Sequence, residues 1–299
     1  MTDPALPGHA AAQPARRQTH DSPWHRFLRH FLKHRLALVS LGVLLILGLL
    51  AILAPYLTPY TFDGQDLDII GTPQPPSREH LMGTDELGRD AFTRVLYGAR
   101  ISLSVGISSA LIATVLGTFV GALSGYYRGW TDTLLMRFTD VVLSIPLLPL
   151  VILVSGMIRP SVTLLVCIIG ALGWMGTARL IRGQFMSLRE REYVEASRAL
   201  GGSHSRIMFR HILPNAIGPV VVSTTLAVGG AIMLESALSF LGLGVQPPTP
   251  TWGNLLNSAS QWLQGAPWLA VFPGLMILIT VLAVNFLGDG LRDALDPRS

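Results

Sequence analysis

From Leu36 to Leu57 the chain reads LALVSLGVLLILGLLAILAPYL, without a single charged side chain. A backbone surrounded by hydrocarbon must satisfy its own N–H and C=O groups, and a helix of roughly 20 apolar residues does so across a bilayer core. Five further long, predominantly apolar stretches follow, at about 100–125, 134–157, 161–181, 217–243 and 268–287. They account for a deficit of charge: 13% of the 299 residues are charged and 50% are hydrophobic, against about a quarter charged in a soluble domain. Mean hydropathy is +0.48. A soluble protein with an unusually large core would have no use for runs of this length. The sequence therefore reads as an all-α integral membrane protein with six transmembrane helices.

Several features refine the spans. The first ends where Pro55 and Pro59 break the helix and Tyr56 and Tyr60 can sit at the interface. The second contains Gly117-x-x-x-Gly121 among other small residues, which lets helix backbones approach closely in lipid. Pro146 and Pro149 are expected to kink the third. Ahead of the spans, WHRFLRHFLKHR resembles a basic amphipathic helix at the membrane surface, with Trp24, Phe27, Leu28, Phe31 and Leu32 facing lipid. A secretory signal is the rival reading, but the polar leader is too long for one and more spans follow. The organisation is then a leader at 1–35, a first span and its polar connection at 36–99, a transmembrane core at 100–290 enclosing a basic loop at 182–214, and a tail at 291–299.

Orientation follows from Lys and Arg, which are enriched in cytoplasmic loops. With the N-terminus inside, the leader, the 126–133 turn, the 182–214 loop and the tail share one side, and most basic residues fall there. The opposite 244–267 loop has none. Both termini are expected to be cytoplasmic.

The basic loop, EYVEASRALGGSHSRIMFRHILPNAI from Glu192 to Ile217, is the least expected part of so apolar a chain. Residues 189–200 read as a helix with Tyr193, Ala196 and Leu200 along one face. Gly201-Gly202 ends it, Ser203 is a candidate N-cap for a second helix, and Pro214 is expected to stop that helix. Two readings stay open on spacing alone: a loop that only fixes topology, or a short helix shaped to plug into a soluble partner.

EASRALGG followed by HILPN resembles the EAA loop of ABC-importer permeases, the cytoplasmic element that docks on the ATPase. The match runs through Glu195, Ala196, Ser197, Gly201, Leu213 and Pro214, with Ser197 in place of an alanine and His211 where the pattern has isoleucine. HLMGTDELGRDAFTRVLYGARISL (His80 to Leu103), MRFTDVVLSIPLLPLVI, ESALSFLGLGVQPPTPTWGNLL and GDGLRDALDPR are similar to dipeptide, oligopeptide and nickel permeases, in the C-type subunit of the pair. The resemblance implies a type I importer permease fold in the bacterial cytoplasmic membrane. It also implies a second homologous permease subunit, two ATP-binding subunits and an extracytoplasmic peptide-binding protein as partners. Lipid is the other partner, and no nucleic acid is expected.

The residues themselves exclude a nucleotide site of the Walker A type. That loop needs a Gly-Lys pair, and the only lysine, Lys33, follows Leu32. No cofactor is expected in this chain; ATP and Mg belong to the partner subunits, and the chain is read as a transport subunit, not an enzyme. Cys167, the single cysteine, excludes an internal disulfide and reads as a small buried apolar residue. No metal-ligand pattern joins the histidines, and His25, His30 and His34 read as leader surface. Asp85, Glu86, Arg89 and Asp90 look catalytic in composition but fall inside the His80–Leu103 match, where ordering of the external loop is the expected role.

Two acids lie in or near spans, where ionisable groups are expensive. Asp140 follows Arg137 by one helical turn, which suggests an ion pair between them; contact with the translocation path is the alternative. Glu235 lies in the fifth span among Ser236, Ala237 and Ser239 and can contact substrate, pair with a partner permease, or be a buried structural acid. The expected function is ATP-driven import of short peptides, with glutathione and nickel chelates as other cargoes. An ion-coupled secondary transporter using Asp140 and Glu235 is the distinct alternative, and inverted repeats that would favour it are not evident.

Overall fold

The computed structural model describes residues 23–158 and 160–295, all in helices and their connections. A short helix α1 (Pro23–Lys33) precedes α2 (Arg35–Leu57), which carries the apolar run. The His34 ring marks the joint: its Nδ1 accepts the Ala37 N–H at 3.2 Å and so caps α2. Against expectation, His34 is thus not simple leader surface, and Phe31 is buried at 7% exposure rather than facing lipid. The Trp24 side chain falls outside the described residues.

A connection over 58–90 leads to α3 (Ala91–Tyr127), which starts well before the expected position near 100. The reason is Asp90, whose Oδ2 accepts the Thr93 N–H at 2.7 Å and sets the first turn. The 58–90 connection folds onto this helix start. Asp85 receives the Leu87 and Arg89 N–H groups, each at 3.0 Å, and pairs with Arg89 Nε at 2.7 Å. Arg94 Nη1 reaches the Phe62 carbonyl at 3.1 Å.

No 126–133 loop exists. Arg128, at φ 57°, is the whole joint between α3 and α4 (Gly129–Leu143). The expected kinked third span is instead two helices, α4 and α5 (Leu147–Met157), meeting at 74°. Pro146 breaks the hydrogen-bond ladder and becomes the cap residue of α5, whereas Pro149 falls in the first turn, where no N–H is required.

Next come α6 (Val162–Leu188), α7 (Glu192–Ala199), α8 (His204–Arg206) and α9 (Leu213–Phe240). Pro214 does not stop a helix. Ile207–Ile212 forms a wide π turn in which the Leu213 N–H bonds back to Met208 O, and the chain runs through the proline into α9. The wide turn relieves the clash of a proline ring with the preceding turn, and Asn215 Nδ2 satisfies the His211 carbonyl at 2.6 Å. Finally α10 (Trp252–Ala259) precedes α11 (Trp268–Leu295), so the expected tail is helical to Leu295. Among the described residues five helices are long and apolar enough to cross a membrane, and α4 with α5 would make a sixth span if they form one bent crossing.

Small residues hold the bundle together, and large apolar ones face outward. On α3 and α6, which run parallel, a Cβ added at Gly117, Gly121 or Gly125 would lie 2.6, 2.4 or 2.5 Å from the carbonyls of Trp174, Ala178 and Arg182. Backbone meets backbone there, as small-residue packing in lipid requires. α9 runs antiparallel to α3, with Thr114 Oγ1 donating to Thr224 Oγ1 at 3.0 Å. α11 returns along α9, placing Leu295 beside Gly218, and α2 lies against α11 through Ala37 and Gly290. The starts of α2 and α9 and the ends of α3, α6 and α11 therefore share one end of the bundle with α7. Val39, Leu45, Ile52, Phe119 and Val141 stay more than half exposed, as lipid-facing side chains should. Cys167, expected to be buried, is exposed.

Candidate coupling site

The element α7–α8 is a helix, a tight turn and a returning helix. Leu200 is the cap residue of α7, and the Gly201 and Gly202 N–H groups bond to Arg198 O at 3.0 Å and Ser197 O at 2.9 Å. This paired reversal needs a left-handed residue after the cap, and Gly201 supplies it at φ +78°. Gly202 is required for a different reason: a Cβ would sit 2.7 Å from the Ser197 carbonyl. Ser203 then caps the return by accepting the Arg206 N–H at 3.3 Å.

A single side chain anchors α7. Val194 is fully buried against Tyr126, Phe185, Ile207, Met208 and Ile212. Its neighbours face outward: Glu195 and Ala196 are exposed, Ser197 is half-buried, and Leu200 is 89% exposed. A groove of about 390 Å³ lies between α7 and the returning chain, lined by Tyr193, Ala196, Ser197, Leu200, Arg206 and His211. Tyr193, Ala196 and Leu200 lie along one side of α7, exposed and lining this open groove. Leu213 and Pro214 are not part of that face; they sit at its root, where the returning chain enters α9.

Below α7 the ends of α3, α4 and α6 are tied by polar contacts that sequence reasoning did not assemble. Tyr126 Oη lies 2.8 Å from His204 Nδ1. Arg189 donates to the Tyr126 carbonyl at 2.5 Å, with its guanidinium 5.6 Å from the centre of the same ring. Arg128 donates to Met186 O at 3.1 Å and pairs with Glu190 at 2.5 Å. Arg182 grips both oxygens of Asp132 at 2.6 Å, and Ser124 donates to that carboxylate as well. In the sequence these arginines count only as topology signals. The acidic partners, Glu190 at 62 positions from Arg128 and Asp132 at 50 from Arg182, carry no local signature.

The two intramembrane acids sit elsewhere. Asp140 pairs with Arg179 of α6 at 2.7 Å, not with Arg137, and both partners are about half exposed. Within one helix Arg137 is near, but α6 supplies a better-placed guanidinium across the helix pair. Glu235 is wholly buried at the opposite end of the bundle from α7. Ser102 Oγ of α3 donates to its Oε2 at 2.9 Å, and Ser239 Oγ donates to its Oε1 at 2.7 Å. Ser102 in turn accepts the Trp252 N–H at 3.3 Å, so the carboxylate ties α3, α9 and α10.

Comparison with known proteins gives a consistent picture. The family model described as "Binding-protein-dependent transport system inner membrane component" matches residues 91–299. A second, the N-terminal transmembrane domain of oligopeptide transport permease C, matches residues 22–76. The chain is 42% identical over 277 residues to a dipeptide transport system permease protein of Alkalihalophilus pseudofirmus, covering 93% of this chain and 90% of that one. An oligopeptide transport system permease protein of Haemophilus influenzae is 41% identical, with 93% and 89% covered. A glutathione transport system permease protein of Pectobacterium atrosepticum is 42% identical, with 93% and 92% covered.

Proposed function

We propose, from a chain that belongs to the family of inner membrane components of binding-protein-dependent transport systems, that it is the membrane-spanning subunit of an ATP-driven importer of short peptides. Its relatives are named for dipeptide, oligopeptide and glutathione transport, and glutathione is itself a short peptide. The observation that carries the reading is the two-faced character of α7: Val194 roots it in the bundle, while Tyr193, Glu195, Ala196 and Leu200 face outward over an open groove.

In this account the α7 end of the bundle is cytoplasmic, with both termini, and six spans cross the membrane. The outward face of α7 is the socket for an ATP-binding subunit, which supplies ATP and Mg. A second permease subunit completes the pathway, and an extracytoplasmic peptide-binding protein delivers cargo. ATP binding draws the two ATPases together and moves α7 with them. Val194, Tyr126 and Arg189 pass that motion to α3 and α6, whose close backbone contact lets them move as one piece. The bundle then opens to the binding protein, and hydrolysis resets it. The half-exposed Asp140–Arg179 pair is the better candidate of the two acids for the pathway; Glu235, with its oxygens engaged inside the chain, suits a structural role.

The test is co-purification from mild-detergent membranes, wild type against Glu195→Arg with Gly201→Glu. The expected result is that wild type brings down a second permease and ATPases and that the double variant loses only the ATPases. Wild type that purifies alone, and moves substrate in vesicles without ATP, would replace this reading with an ion-coupled carrier.

A further inference from the structure

We propose that α1 is a binding element for anionic phospholipid headgroups in the leaflet at the α7 end of the bundle. The inference needs only that the chain spans a membrane, and it is independent of cargo and of ATPase partners.

Helical geometry sorts the α1 side chains into three stripes, successive positions being about 100° apart. Phe27 and Phe31, one turn apart, stack with ring centroids 5.9 Å apart, and Phe31 is buried where α1 packs on α11. Leu28 and Leu32 come next around the helix and are 42% and 55% exposed. Arg29 and Lys33 follow, both exposed, and Arg35 is exposed just beyond the joint. The helix contains no acidic residue. One stripe holds the protein, one is apolar and outward, and one is cationic.

The apolar stripe has a definite occupant because it adjoins, across the His34 joint, the exposed apolar surface of the first span. Leu36 and Val39 of α2, 56% and 64% exposed, begin the outward apolar surface of the first span only four residues beyond Leu32. A helix whose leucines meet acyl chains holds the adjacent Arg and Lys heads at phosphate level, with their stems lying along the apolar surface. The joint to α2 keeps this aim fixed. His34 caps α2 through Nδ1, reaches Asp293 of α11 at 3.6 Å through Nε2, and has Gly290 packed close to its ring. Each Lys or Arg near an anionic surface contributes about 1 kcal/mol, so two fixed cations give a real preference over zwitterionic lipid.

The experiment uses the transporter purified in mild detergent with whatever subunits accompany it. Dioleoylphosphatidylglycerol or dioleoylphosphatidylcholine is titrated in, and bound lipid is counted by native mass spectrometry. Wild type is compared with Arg29→Gln plus Lys33→Gln, both exposed positions, and with Arg78→Gln in the 58–90 connection as a charge control. The double variant is expected to bind phosphatidylglycerol roughly 30-fold more weakly, with phosphatidylcholine unchanged and Arg78→Gln like wild type. Equal phosphatidylglycerol affinity in wild type and double variant overturns the proposal. So does a co-purifying protein that is lost with the double variant while phosphatidylglycerol retention stays the same, which assigns the stripe to a protein partner. Absence of ATPases from the preparation would count against the importer reading and leave this measurement unaffected.

Discussion

Arg182 holds both carboxylate oxygens of Asp132, each at 2.6 Å, and so fixes the start of α4 to the far end of α6. Such a bidentate pair is a strong form of the charge-assisted hydrogen bond. Ser124 of α3 donates to the same carboxylate, which makes this contact the knot of three helices directly beneath α7. Asp132→Ala and Arg182→Ala are each expected to lower thermal stability in detergent. The double variant should lose less than their sum, with a coupling of roughly 1–3 kcal/mol. Strict additivity in a double-mutant cycle would show that the pair contributes nothing.

Asp140 gives a contrasting expectation, because its pair with Arg179 is about half exposed. Neutralising it should cost no more than about 1 kcal/mol of stability. Arg179→Gln should match Asp140→Asn in transport assays, Arg137→Gln should behave as wild type, and exchange of the two charges should restore most of the loss. A phenotype from Arg137→Gln equal to that of Asp140→Asn would restore the intrahelical pair.

Glu235 is buried with three serine hydroxyls directed at it, those of Ser102 and Ser239 at 2.9 and 2.7 Å and that of Ser236 at 3.5 Å. Glu235→Ala leaves Ser102 and Ser239 without their acceptor in a closed site, a loss of about 1–3 kcal/mol. Glu235→Gln keeps the shape and one acceptor oxygen, so a smaller shift is expected. Melting curves of the two variants check the order; a Gln variant as unstable as Ala would mean that the charge, not the hydrogen bonding, is what matters.

Glycines on α3 and α6 should differ sharply in tolerance. Gly121→Ala pushes a methyl group to 2.4 Å from the Ala178 carbonyl and cannot be absorbed by a side-chain adjustment, whereas an added Cβ at Gly176 meets nothing within 4 Å. Gly121→Ala is expected to cost 1–3 kcal/mol, in the range of about that size seen for overpacking, and Gly176→Ala to be neutral or slightly stabilising. Parallel yields and melting temperatures decide it.

The parts of the fold legible in sequence were those with a local cause. The long apolar runs located five membrane-length helices, Gly201 announced the left-handed turn, and Gly117-x-x-x-Gly121 announced the close helix contact. Boundaries were harder, since hydropathy registers the lipid-facing part of α3 but not the turns that Asp90 starts before it. The break at Pro146 and the passage through Pro214 show the same residue acting in opposite ways. Pro146 has no neighbouring wide turn to absorb it, whereas Ile207–Ile212 supplies one ahead of Pro214. The anchors of the coupling element were least visible: Tyr126 and His204 meet across 78 positions, and only the parallel packing of α3 on α6 brings their segments together.

The wide turn has a practical meaning for anyone exchanging cassettes between transporters. Read as loop and span, the coupling element would be cut out at Gly202 or at Pro214 and transplanted. The Leu213 N–H, however, reaches back to Met208, and Asn215 reaches back to His211, so the cut at Pro214 falls inside one continuous rod that begins at His204. A graft ending before Asn215 would rotate the recipient helix relative to its new socket. A portable cassette has to include Val194 at one end and Asn215 at the other, together with the Tyr126 surface on which it rests.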